Sequence, residues 1–164
     1  MAESNSGPLR LRLWTRTSGI LAPLTSLLVL IVVLAIVAGP EGFSTRGNWN
    51  TIIQSTAVVA ILAVAETVVI IAGHIDLSVG RVLALSGVLA ASAMVDHGAG
   101  TLVGVLAALA GGTFCGFMSG VLTAYGRMPA FIATLGMMGV ANGLALVVAR
   151  DANISGLAPG FDAL

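Results

Sequence analysis

The sequence predicts an all-α fold: a polytopic bundle of about five transmembrane helices, one of them short or broken. Of the 164 residues, 57% are hydrophobic and only 9% are charged. The mean hydropathy is +1.05. A soluble domain usually carries about a quarter charged residues, and a disordered chain needs a polar composition. The composition therefore excludes a soluble enzyme and a disordered segment.

The first predicted span, 20–39, follows a polar N-terminal segment, 1–19. The span carries no charged residue. A helix that rises ~1.5 Å per residue needs about 20 residues to cross a hydrocarbon core of about 30 Å. The run is longer than the apolar part of a signal peptide. We therefore expect a retained helix that ends at Gly39 and Pro40.

The third predicted span is the short one, because its apolar run, Val82 to Val95, cannot cross unless the preceding segment contributes. Gly126 is expected to end the fourth helix, and Pro129 suits the first position of the fifth. Short loops predict one compact bundle. The second to fifth spans are expected at 51–73, 75–95, 101–125 and 129–149. A polar extracytoplasmic tail is expected at 150–164.

The arginines predict the orientation of these spans in the membrane. With the N-terminus in the cytoplasm, most of them lie inside, as the positive-inside rule requires. The inside arginines are Arg10, Arg12, Arg16, Arg81 and Arg127, and the outside ones are Arg46 and Arg150.

Nucleic acid is excluded as a partner because no basic patch is present.

Small residues recur every four positions along the fourth span and return in the fifth. Such spacing lets two helix backbones approach closely in lipid. We expect packing within the chain, with a dimer interface as the alternative. Cys115 is interpreted as a small apolar filler. The packing positions are Gly104, Ala108, Gly112, Gly116, Gly120 and Ala124, then Gly139 and Gly143.

Three polar residues inside spans are candidates for a translocation path. Glu66 lies deep in the second span, where an ionised acid costs roughly 2.5–3.5 kcal/mol on insertion scales. It should face the interior, either as a pathway or coupling residue or as a hydrogen-bonded structural acid. Gln54 and Asn142 are weaker candidates, since hydrogen bonds between helices would explain both equally.

The segment 73–80 interrupts the helical pattern between the second and third spans. Gly73 and Gly80 permit bends, and Asp76 or Ser78 is expected to cap the third helix. Irregular backbone at membrane depth survives only against protein or a water-filled cavity. Broken helices of this kind often form transporter sites, so Asp76 and Ser78 are also path candidates.

Several kinds of chemistry are not supported by the residues. The chain has no lysine, so it lacks the P-loop lysine that holds ATP phosphates and any Schiff-base lysine. His74 and His97 fall in different loops, which does not favour a metal site. No catalytic residue is predicted. The helix serines Ser92 and Ser119 are interpreted as packing or back-bonding residues.

The sequence Gly-His-Ile-Asp-Leu-Ser-Val-Gly at 73–80 resembles the G-G-I-D-L-S-V-G of ribose-type ABC sugar importer permeases. Residues 128–138 are similar to that family's P-A-F-I-A-T-L-G-M-M, and 154–161 resemble its I-S-G-L-P-P-x-F. The resemblance covers about 20–164. The motif positions are Gly73, Ile75, Asp76, Leu77, Ser78, Val79, Gly80, Pro129, Ala130 and Phe131.

The resemblance implies a permease in the bacterial cytoplasmic (inner) membrane that imports a monosaccharide such as ribose, xylose or galactose. It also implies a second permease subunit, cytoplasmic ATP-binding subunits and a periplasmic or extracellular sugar-binding protein. ATP would be bound by those partners, and this chain would bind no cofactor. Two residues depart from the family pattern: His74 replaces a glycine and Asn142 replaces an arginine.

Family members are longer, so we expect the chain to be the N-terminal half, a truncated product or half of a split permease. Two other functions stay open on the residues alone. One is an ion-coupled secondary carrier that uses Glu66 as its proton site. The other is a truncated membrane protein that transports nothing.

Overall fold

The computed structural model describes residues 9–39, 41–150 and 153–157, with side chains described from residue 21 onward. The all-α prediction is confirmed: the described residues contain five helices and no strand. Most of the predicted N-terminal segment and tail, and the end of the stretch 154–161, lie outside the described residues. The helices are α1 (Leu9–Ala38), α2 (Arg46–Ile71), α3 (Val79–Val95), α4 (Thr101–Ala124) and α5 (Ala130–Ala149).

By length and composition, α2, α4, α5 and the Leu21–Ala38 part of α1 are each able to cross a membrane. The helix α3 has 17 residues. At ~1.5 Å per residue it falls short of a hydrocarbon core of about 30 Å. The structure thus gives four full-length apolar helices and one short one, and α3 begins only at Val79 because 72–78 is not helical.

The chain divides into two compact units, Met1–Val59 and Ala60–Leu164. In the first unit, α1 ends at Gly39, whose φ of +68° is left-handed, as expected for a helix-stopping glycine. The helix α2 begins ahead of the predicted position because Thr45 caps it. The Thr45 Oγ1 accepts a hydrogen bond of 3.3 Å from the Asn48 N–H.

In the second unit, α3, α4 and α5 pack on one another. The centre of the packing is formed by one residue from each helix: Leu85, Cys115 and Ala141. Cys115 is 4% exposed, in agreement with its interpretation as an apolar filler. Around this centre lie the partly buried apolar residues Val82, Leu89, Met137 and Ala145.

Two helix ends face the same region of the second unit and terminate by different means. After α2, Gly73 adopts φ +79°, and the His74 N–H donates to the Val69 carbonyl at 3.1 Å, as in a glycine-terminated helix. After α4, which ends at Ala124 just before the expected stop at Gly126, the left-handed residue is Arg127, with φ +51°. A Cβ at Gly126 would lie 2.5 Å from the Leu122 carbonyl oxygen, so Gly126 supplies space instead.

Candidate functional site

The loop between α2 and α3 is held by a carboxylate. The Asp76 Oδ1 accepts hydrogen bonds from the Ser78 N–H at 2.7 Å and from the Ser78 hydroxyl at 2.6 Å. Ser78 is 3% exposed. Asp side chains commonly bond the backbone two residues ahead and so form a tight turn. This turn sets where the loop ends and α3 begins.

The side-chain cap predicted for α3 is wrong in detail. Ser78 is the N-cap residue, but its side chain makes no capping bond and its backbone is helical, with φ −88° and ψ −18°. A capping side chain needs a non-helical, usually extended, backbone to reach the first turn. The Ser78 carbonyl instead accepts from the N–H groups of Arg81 and Val82, both at 2.9 Å.

Thr134 of α5 joins the two sequence motifs. Its hydroxyl accepts a 3.2 Å hydrogen bond from the Leu77 N–H and donates at 3.3 Å to the Ile75 carbonyl. Thr134 is 5% exposed. The segments 73–80 and 128–138 therefore form one hydrogen-bonded structure. Thr134 belongs to the second motif, but the sequence predicted no role for it, because the neighbouring residues do not indicate a partner 57 residues away.

Glu66 holds the other side of the loop. It is half-buried on α2, and its Oε1 accepts a 3.2 Å hydrogen bond from the Asp76 N–H. The two acids therefore hold successive parts of the loop: Glu66 binds the backbone N–H of Asp76, and the Asp76 carboxylate binds Ser78. Of the other path candidates, Gln54 is exposed and Asn142 is half-buried on α5. A role for any of them in translocation stays a prediction.

A cavity of about 780 Å³ opens between this loop, the end of α4 and the start of α5. Its volume falls in the range of small-molecule sites, roughly 300–1,000 Å³. Among the described residues, no group of three His, Cys, Asp or Glu side chains could hold a metal ion. The polar side chains of the cavity wall are His74, Asp76, Ser119, Thr123, Arg127 and Thr134, and the larger apolar ones include Val69, Met128 and Phe131.

Ser119 is the residue of the cavity wall that sequence reasoning set aside. It is 6% exposed, and its Oγ has no hydrogen-bond partner among the described residues. Of the two roles expected for this serine, packing or back-bonding, the second therefore does not apply. The Ser119 carbonyl, in contrast, accepts a 2.9 Å hydrogen bond from the Thr123 hydroxyl one turn later. The position of Ser119 in the tertiary structure, next to a cavity, is what distinguishes its hydroxyl from those of other helix serines.

The row of small residues on α4 divides into two parts. A Cβ at Gly104 would lie 2.9 Å from Met94 Cγ, and one at Gly112 would lie 3.1 Å from Ser86 Oγ, so both positions are close to α3. At Gly116 and Gly120 a Cβ would meet no atom of the described part of the chain within 4 Å, and both line the cavity. The close approach to α3 also includes Gly111, where an added Cβ would touch Leu89.

The remaining predicted packing positions are more open. Ala108 is half-buried and Ala124 is exposed. On α5, a Cβ added at Gly139 or Gly143 would meet nothing within 4 Å. A dimer interface at these positions stays a prediction.

Residues 48–156 match the model of a family described as branched-chain amino acid transport system / permease component. The chain is 45% identical over 131 residues to the ribose import permease protein RbsC of Escherichia coli K12. It is 33% identical over 128 residues to the fructose import permease protein FrcC of Rhizobium meliloti. It is 32% identical over 134 residues to the autoinducer 2 import system permease protein LsrC of Yersinia pseudotuberculosis.

The aligned regions include most of this chain but less than half of each relative. They cover 79% of the chain and 40% of the ribose permease, 78% and 35% with the fructose permease, and 82% and 37% with the autoinducer 2 permease. No solved structure matches the chain significantly.

Proposed function

The chain belongs to the family described as branched-chain amino acid transport system / permease component, and from this premise we propose that it is part of the transmembrane permease subunit of an ATP-binding-cassette importer. The solute that we propose is a monosaccharide. One observation carries the proposal: the two motifs shared with sugar permeases meet at Thr134 and enclose a cavity between apolar helices.

The relatives support a sugar over an amino acid. Ribose and fructose appear in the names of two relatives, whereas the family description names branched-chain amino acids. The cavity wall combines charged, apolar and hydroxyl side chains, so the preference for a sugar rests on these relatives.

The energy for transport would come from partner subunits. The chain has no lysine and thus no P-loop of the type that holds ATP phosphates. We propose cytoplasmic ATP-binding subunits, a second permease subunit and a periplasmic or extracellular sugar-binding protein as partners, with no cofactor bound by this chain. The arginine distribution supports an N-terminus on the cytoplasmic side of a bacterial inner membrane.

In the proposed mechanism, ATP binding and hydrolysis on the partners drive rocking of helix groups, and access to the solute alternates between the two sides. The packed unit α3–α5 would move as a body. The loop 72–78 would keep its shape during that motion because Glu66, Asp76 and Thr134 each fix a different part of it. Those residues would therefore position the path rather than change partners.

The test is uptake of labelled sugars by cells with and without the gene. Ribose, xylose, galactose and fructose are compared with leucine, and each strain is tested again after the gene is restored on a plasmid. We expect loss of uptake for at least one sugar and none for leucine. Loss of leucine uptake alone would assign the amino acid substrate, and no change for any solute would remove the importer function.

The energy source separates the importer from an ion-coupled carrier. Gene-dependent sugar uptake should stop when cellular ATP is depleted and continue when an uncoupler collapses the proton gradient while ATP is maintained. The opposite pattern would favour a carrier that uses Glu66 as its proton site. A Glu66→Gln variant in the same assay would then show whether the acid must ionise.

A further inference from the structure

We infer that the cavity between the loop 72–78 and the ends of α4 and α5 binds the transported solute directly, with the hydroxyl of Ser119 as a solute-contacting group. This inference rests on the proposed function and assigns a site for it. The observation that carries it is the Ser119 Oγ, which is buried, belongs to a residue of the cavity wall and has no hydrogen-bond partner among the described residues. Buried polar atoms in folded proteins are otherwise nearly always paired.

The cavity wall favours a neutral ligand. Arg127 and Asp76 contribute one charge of each sign, so neither an anion nor a cation would find a net opposite charge. Both hydrogen bonds that the Asp76 carboxylate accepts from described residues end on Oδ1. Its Oδ2 is therefore available to a further donor, such as a solute hydroxyl.

The mixture of groups fits a polyhydroxylated ring. The guanidinium of Arg127 supplies donors, Asp76 supplies acceptors, and the hydroxyl of Ser119 can serve as either. Phe131 lines the same cavity and is 51% exposed, which offers an apolar surface to the C–H face of a sugar. An apolar wall with a few placed polar groups is the usual construction of a small-molecule site.

The backbone of α4 also makes room for a ligand at this level. Gly116 lies about one turn before Ser119 along the helix, and Gly120 is the next residue after it. A Cβ at either position would meet no atom of the described residues within 4 Å. In the orientation proposed above, this end of α4 is cytoplasmic. The cavity would then hold the solute on its way out of the transporter and into the cell.

The first experiment measures initial rates of sugar uptake over a range of sugar concentrations for Ser119→Ala in the complete transporter. One lost hydrogen bond predicts a maximal rate roughly threefold to tenfold lower. The half-saturating concentration should not change, since the solute is captured before it reaches this end. The matched control is Ser92→Ala on α3, which removes a hydroxyl bonded to Asp96 outside the cavity and should keep the wild-type rate.

The second experiment tests contact and does not depend on the rate of transport. Ser119→Cys is introduced together with Cys115→Ala, and inside-out membrane vesicles are treated with a water-soluble thiol reagent. We expect labelling of the cysteine, slowed by the transported sugar and not by a sugar that the cells do not import. Gly120→Cys provides a second position in the same cavity if the first variant does not fold.

The outcomes separate this inference from the proposed function. If loss of the gene abolishes sugar uptake but sugar does not slow the labelling, the function stands and the site is wrong. Absence of labelling at both positions would show that the cavity is not open to water and would overturn the site as well. If loss of the gene leaves all sugar uptake unchanged, the proposed function itself fails.

Discussion

The two halves of α4 carry the same small-residue pattern in different surroundings. In the first half, Gly104 and Gly112 lie against α3, and an added Cβ at either would crowd a neighbouring side chain. In the second half, Gly116 and Gly120 border the cavity with open space beside them. One repeat therefore serves helix packing at one end and solvent-accessible volume at the other.

The difference follows from helix geometry. Four residues of an α-helix exceed one turn of 3.6 residues by about 40°, so a four-residue row rotates steadily around the helix. After three or four steps it no longer faces the same neighbour. The close approach to α3 instead runs through Gly104 and Gly111, which are seven residues apart and nearly on one face.

The largest effect should come from filling the packed half with a large side chain. In Gly104→Leu the new Cβ would lie 2.9 Å from Met94 Cγ and 3.1 Å from the backbone oxygen of Ala90, and that backbone cannot move aside. Overpacking costs typically about 1–3 kcal/mol, and a leucine adds three more carbons beyond Cβ. We expect a lower thermal midpoint and less monodisperse protein in size-exclusion chromatography. A wild-type midpoint would contradict the close α3–α4 contact.

The same substitution in the second half should affect transport and leave folding intact. In Gly120→Leu the new Cβ would meet no atom of the described residues within 4 Å, and since Gly120 lines the cavity, the larger side chain should occupy part of it. We expect sugar uptake to fall at least about tenfold, the equivalent of about 1.4 kcal/mol, at a normal protein level. Gly139→Leu is the matched control, because its Cβ also has open space but lies away from the cavity. Equal uptake by the two variants would show that the cavity is not on the path.

A polar substitution at the boundary between the halves should be intermediate in size. Cys115 lies in the apolar centre with Leu85 and Ala141. In Cys115→Ser a hydroxyl replaces the thiol, and burial without a hydrogen bond costs about 1–3 kcal/mol in proteins. Thermal unfolding in detergent measures the loss. Cys115→Ala serves as a control for volume alone, and a serine variant no less stable than the alanine variant would contradict an apolar environment.

The smallest effects should differ in size between the two halves. A glycine in a helix is less favourable than alanine by about 0.8–1.0 kcal/mol. At Gly116 the new methyl group meets nothing within 4 Å, so Gly116→Ala should raise the unfolding midpoint. At Gly112 it would lie 3.1 Å from Ser86 Oγ, and Gly112→Ala should lose most of that gain. A larger gain at Gly112 than at Gly116 would reverse the comparison.

Most of the fold was predictable because membrane helices can be recognised from long runs of apolar residues. Each predicted span overlaps one of the five helices, but residues 72–78, at the end of the second predicted span and the start of the third, are not helical. The short third helix was indicated by its short apolar run. Two local details were not predictable. Thr45 starts α2 ahead of the apolar residues, and Arg127 rather than a glycine takes the left-handed conformation after α4. In both cases a single hydrogen bond or close contact determined the outcome.

The candidate site was predictable in part. The segment 73–80 was singled out because it breaks a helical pattern, and Glu66 because it is an acid among apolar residues. Sequence reasoning had no means to pair Glu66 with the Asp76 backbone or Thr134 with Leu77. Ser119 was given only a packing or back-bonding role, because nothing in its own sequence neighbourhood indicates a cavity beside it.

Hydrophobicity and the glycine at the end of α2 act locally, so the apolar helices and the break before α3 follow from the sequence. Three features follow only from the tertiary structure: which acid holds which part of the loop, which glycines of α4 touch a neighbour, and which hydroxyl beside the cavity has no partner among the described residues. These depend on the rotation and separation of helices far apart in sequence. A residue's own type and spacing do not specify what stands opposite it.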